Sequence, residues 1–140
     1  LCLDSAASFI REDKLELAQK VLEDGLRLVK GQPDETYVRA RLLAQFGLLF
    51  KKQGRLEEAK NKLNDSIKML DSYTGRRHRS YGDSLAALAE VYAEGGDYEK
   101  AYRTINDAIS AVKDDPWISW RVGDYQRMRA EIKKRQQSRP

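Results

Sequence analysis

The chain has 140 residues, 41% of them hydrophobic and 34% charged, and its 26 Lys and Arg against 22 Asp and Glu leave a net charge of +4. That length fits one domain of residues 1–140, and three prolines with nine glycines are too few for an all-β chain that turns every ten residues or so. One cysteine, Cys2, excludes a disulfide framework and a thiolate metal cluster, and one histidine, His78, excludes a multi-histidine site and leaves little for acid–base catalysis. No apolar run reaches the roughly 18 residues of a membrane span. The sequence opens on Leu1 without a signal-peptide pattern, so we read it as part of a longer protein, and the cysteine usage points to a cytoplasmic one.

Apolar periodicity predicts helices near 3–11, 14–30, 34–53, 55–72, 79–95, 97–113 and 117–137. Three stretches share one grammar: Glu12-Asp13-Lys14-Leu15-Glu16-Leu17-Ala18, Gln53-Gly54-Arg55-Leu56-Glu57-Glu58-Ala59 and Gly95-Gly96-Asp97-Tyr98-Glu99-Lys100-Ala101. Their alanines stand 41 and then 42 positions apart, and Leu22, Leu63 and Ile105 keep that spacing. Leu43, Phe46-Gly47 and Phe50 recur as Leu85, Leu88-Ala89 and Tyr92. Each unit therefore reads as two helices, with Gly47 and Ala59, or Ala89 and Ala101, small enough to let the pair approach closely. Gly54 and Gly96 supply the backbone freedom that ends the first helix. Pro33 and Pro116 stand where helices are expected to start.

These residues resemble the tetratricopeptide repeat family, whose signature runs W-x2-L-G-x2-Y, a turn, then Ala, a large residue and a small one. Leu43, Phe46-Gly47, Phe50, Ala59, Leu63 and Ser66 match one unit, and Leu85, Leu88-Ala89, Tyr92, Ala101, Ile105 and Ala108 the next. Ala6, Phe9, Ala18, Leu22 and Gly25 fit a first unit with a shortened opening helix. The family's usual period is about 34 residues; this chain is similar to the longer variety found in kinesin light chains and in bacterial regulatory proteins. The resemblance implies an all-α, right-handed superhelical stack of antiparallel hairpins, with repeats near 1–31, 34–72 and 76–113 and a helix near 117–137 that caps the stack or opens another unit.

What such a stack does is written on the first helix of each unit, which lines a concave groove. That face reads Arg41, Gln45, Leu48, Lys52 in the second unit and Asp83, Ala87, Glu90, Glu94 in the third. From 39 to 55 the charges are all basic, and from 80 to 99 all acidic until Lys100. Either the two walls neutralise each other, with Arg41 near Asp83 and Lys52 near Glu94, or they orient a partner carrying both signs. The expected partner is another protein, presenting a peptide or a helix. Some family members clamp a chaperone's terminal carboxylate with Lys and Asn; Leu3, Ala7, Gln45, Asp83 and Ala87 stand at those positions and supply no Lys, so that partner is not expected.

No phosphate loop, G-x-G-x-x-G, H-E-x-x-H or C-x-x-C occurs; neither catalysis nor a cofactor is expected, and Ser80, His78 and Asp83 are too local a trio to be a triad. Asn64-Asp65-Ser66 spells a glycosylation acceptor inside a predicted helix. The basic tail, Arg127 to Arg139, lacks the interleaved aromatics of a base-stacking surface, which makes nucleic acid an unlikely partner there or at Arg76-Arg77-His78-Arg79. Trp117 and Trp120, three apart, are expected to pack onto the third unit, and Tyr73, Tyr81, Tyr98 and Tyr102 between repeats.

Overall fold

The structure, a computed structural model, describes residues 2–74 and 79–138. Among these the elements are all helices: α1 (Cys2–Arg11), α2 (Leu15–Val29), α3 (Glu35–Lys52), α4 (Leu56–Thr74), α5 (Arg79–Glu94), α6 (Tyr98–Val112) and α7 (Arg121–Gln137). The chain divides into two compact units, Leu1–Met69 and Leu70–Pro140. No described helix is long and apolar enough to cross a membrane.

The three expected hairpin turns share one geometry. Asp13, Gly54 and Gly96 have φ of 61°, 75° and 83°. The next amide closes back five residues, Lys14 N to Phe9 O at 2.8 Å, Arg55 N to Phe50 O and Asp97 N to Tyr92 O at 2.9 Å each. This is the Schellman closure, and it needs a residue that tolerates left-handed backbone, hence Gly twice and Asp once. The second helix then starts on the same bond each time, Ala18 N to Lys14 O, Ala59 N to Arg55 O and Ala101 N to Asp97 O. Asp97 adds a cap, accepting from Lys100 N at 3.2 Å.

Equivalent residues occupy like surroundings. Ala18, Ala59 and Ala101 are fully buried, as are Leu22, Leu63 and Ile105. In the first unit α1, α2 and α3 pack together, and α3 meets α4 where Gly47 faces Leu63. A Cβ on Gly47 would stand 2.5 Å from Leu63 Cγ. The Ser66 hydroxyl, on α4, donates to the Ala40 carbonyl of α3 at 2.7 Å and is fully buried, which removes the apparent glycosylation acceptor from solvent. In the second unit α6 packs on α5 and α7, and Tyr125 and Ile132 of α7 bury themselves there.

The last helix departs from expectation. It begins at Arg121, not near 117, and Pro116 lies in a turn ahead of it. Asp115 holds that turn: its carboxylate accepts from Trp117 N at 2.9 Å, and its carbonyl accepts from Ile118 N and Ser119 N. An aspartate bonding the amides beyond it competes with helix. Trp117 is therefore 87% exposed and Trp120 56% exposed, so neither closes the core as expected. The tyrosines also divide: Tyr81 is buried, while Tyr73 and Tyr102 are exposed. Arg76, Arg77 and His78 lie outside the described residues.

The Gly47–Leu63 approach yields a direct test. Gly47→Ala should lower stability by about 1–3 kcal/mol, because the overpacking it forces exceeds the gain in helix propensity of roughly 1 kcal/mol. Urea denaturation checks this, and a neutral or stabilising result would show that α3 and α4 are not locked at that crossing.

Candidate functional site

The α3 positions of the expected groove belong to the first unit. Arg41, Gln45 and Leu48 are half-buried and Lys52 is exposed, one above the next along α3. The shared turn aligns α1 with α3 at 41 positions, which places Asp4, Ala7 and Arg11 opposite Gln45, Leu48 and Lys52 on the neighbouring α1. Sequence reading had set Leu3 at the Gln45 position and had omitted Asp4 and Arg11. The 41-residue first spacing, carried to α1 in place of 42, would have found them.

The chemistry of this face is graded. One end carries Arg11 and Lys52, both exposed and, among the described residues, without an ion-pair or hydrogen-bond partner. Ala7 and Leu48 form an apolar middle. Asp4, exposed, marks the other end. Arg41 lies over the Tyr37 ring, 5.6 Å from its centroid. Between these ends sits an anomaly: Gln45 Oε1 is buried and accepts no hydrogen bond. Leaving a buried acceptor empty costs roughly 1–3 kcal/mol.

The α5 positions belong to the second unit. Asp83 and Glu90 are half-buried, Ala87 is buried and Glu94 is exposed. Asp83 is met from α7. Its Oδ1 accepts from Arg121 Nε at 3.0 Å, from the same guanidinium at 2.6 Å and from the Tyr125 hydroxyl at 2.5 Å, while Arg79 stands 3.4 Å from Oδ2. Asp124 takes the other side of Arg121 at 2.7 Å. Asp83 is thus the anchor of α7. Its charge partner is Arg121, a residue the expected pairing with Arg41 did not include. Burial pushes the Tyr125 phenol above its ordinary value, and the hydrogen bond to anionic Asp83 pushes it the same way.

The basic tail is partly committed as well. Arg127 pairs with Asp124, and Arg129 donates to Asn106 at 2.8 Å. A cavity of about 450 Å³ in the second unit, lined by Tyr81, Leu85, Ala111, Asp107, Asp114 and Asp115 among others, is acidic and open. A scan of protein-family models and a search of curated proteins each find no match to this chain.

The Asp83–Tyr125 bond predicts an alkaline limb. An unfolded tyrosine ionises near pH 10, whereas the folded one holds its proton to higher pH. Its contribution is therefore complete below about pH 10 and is lost as pH rises above it. Urea midpoints taken from pH 8 to pH 11, roughly, should fall more steeply in the wild type than in Tyr125→Phe; parallel curves would mean that the hydroxyl is not held as described.

Proposed function

We propose that the chain is a non-catalytic protein-interaction module of the tetratricopeptide type, whose hairpins stack in a right-handed superhelix and hold an extended peptide or a helix against their first helices. The groove residues are Arg41, Gln45, Leu48 and Lys52 on α3, with Asp83, Glu90 and Glu94 as the acidic counterpart on α5. What supports the stacking is the recurrence of one turn, one helix start and one set of fully buried positions in three successive hairpins.

The single observation that carries the binding reading is the empty Gln45 acceptor. Buried polar atoms are nearly always paired, and an exception asks for a donor from outside. A peptide backbone N–H is such a donor. Set beside it, Arg11 and Lys52 suit an acidic side chain, and Ala7 and Leu48 suit a small apolar one. The first unit thus favours a segment with an acidic residue at one end and an apolar residue next to it, read by main-chain bonding in the middle. Asp83 contributes through its hold on α7, which leaves Glu90 and Glu94 as the residues nearer to a basic part of the partner.

Selection of peptides from a random displayed library tests this. The wild-type chain should enrich sequences carrying Asp or Glu beside an apolar residue, and the Arg11→Glu/Lys52→Glu chain should bind the same peptides at least about tenfold more weakly. Gln45→Leu should weaken binding too while raising the urea midpoint of the free chain, since it removes the unpaired acceptor. Equal binding by all three chains, each folded, would refute the groove.

A further inference from the structure

The hairpins open with first helices of unequal length. The matched turns align Cys2, where α1 starts, with Leu85 of α5. α5 therefore carries six residues, Arg79–Ser84, for which α1 has no counterpart. In the second unit these residues cover the end of α6. Tyr81, Gly82 and Ser84 are buried. Gly82 approaches so closely that a Cβ on it would stand 2.9 Å from both Val112 Cγ1 and the Tyr125 hydroxyl, and Val112 is fully buried.

The corresponding place in the first unit is uncovered. Val29, aligned with Val112, is only half-buried, and Leu28 beside it is 67% exposed. Both line a cleft of about 250 Å³ with Leu3, Val38 and Leu42, against the backbone of Gly25. No lining residue is charged. Val38 faces this cleft from the third helix of its unit; in the second unit the larger Tyr125 fills the equivalent space.

We infer that this cleft is a docking seat for the end of an apolar helix from a partner protein, entering in line with α1 and covering Leu28 and Val29 as Arg79–Ser84 cover Val112. The lining sets the chemistry. With Val38 in place of a tyrosine, the seat accepts a Leu-sized side chain where α5 needs glycine. With no charge in the wall, it selects by shape and apolar area. A second copy of this chain has no suitable helix to offer. Among the described helices α3 opens Glu35-Thr36-Tyr37 and α7 opens Arg121-Val122-Gly123-Asp124, both polar, and the opening of α5 is already buried. The seat is distinct from the charged stripe of Arg11 and Lys52 and stands whether or not that stripe binds a peptide.

Tethering tests it, because a short connection raises the local concentration of a weak ligand to about the millimolar range. The full chain is extended at Leu1 by a short Leu/Ala helix, and a Ser/Gly extension of equal length is the control. The Leu/Ala chain should melt about 3 °C or more above the control, with the Leu28 methyl signals shifted. Both effects should persist in about 0.5 M salt, where exposed charge pairs are screened, and both should vanish in Leu28→Asp. That substitution falls on a largely exposed side chain and leaves the core intact. Equal melting of the two extended chains, or a gain that survives Leu28→Asp, overturns the seat. Concentration-dependent dimerisation of the unextended chain that Leu28→Asp abolishes would assign the cleft to a second copy and overturn the partner-helix reading.

Discussion

The arrangement depends on one constraint: two helices joined by a tight turn must cross where one side is small. The left-handed residue at Asp13, Gly54 or Gly96 fixes the direction in which the chain leaves the first helix, and the five-residue closure behind it fixes the rotation of the second. Once those are set, the side chain two turns along the second helix has one place to go. Leu63 goes onto Gly47, and Leu22 and Ile105 are buried at the same register. Dispersion falls off steeply with separation, so the close approach is where packing gains most and where a single added carbon does most harm.

Electrostatics plays a secondary part in that scheme, with one exception. The pairs Arg39–Glu35, Arg55–Glu58, Lys60–Glu57 and Arg103–Glu99 lie within single helices at spacings of three or four, near or at the surface. Such pairs contribute roughly 0–1 kcal/mol each. Asp83 differs because its partners, Arg121 and Tyr125, arrive from another helix and are shielded from water, Tyr125 fully. Breaking such a contact leaves a charge without its donors, which costs more than the pair itself contributes. A residue on the expected binding face has thus been given to holding the terminal helix in place.

Most of the helical plan was legible because it is written in side-chain size. Ala18, Ala59 and Ala101 announce the crossings, and Asp13, Gly54 and Gly96 announce the turns; both are local signals. Six helices start and stop within about two residues of expectation, the ordinary fraying of helix ends. The seventh start failed because Pro116 looked like a helix opener while Asp115 was the stronger signal, bonding the amides that a helix would have used. The stripe on α3 was legible as a periodicity. Its extension to Asp4 and Arg11 was obscured by the change from 41 to 42 residues, since a slip of one position turns a helix face by about 100°. The unpaired Gln45 acceptor could not be read at all, because burial of a single atom is set by its neighbours in space.

The two units spend their polar and apolar capacity differently, and the difference locates function. In the second unit the opening turns of α5 cover Val112, Tyr125 fills the remaining space, and Asp83 collects Arg121 and Tyr125. In the first unit the same register leaves Val29 half-covered, Leu28 in solvent, a buried acceptor empty at Gln45 and two cations at Arg11 and Lys52 without partners among the described residues. A repeat protein makes its hairpins alike for stability, so the places where one hairpin falls short of its sibling are those where stability alone does not account for the residues. Both shortfalls of the first unit are of the kind that a helical or extended polypeptide satisfies, an apolar end-on seat and a main-chain donor beside fixed charge, and neither resembles a pocket built around a reacting group.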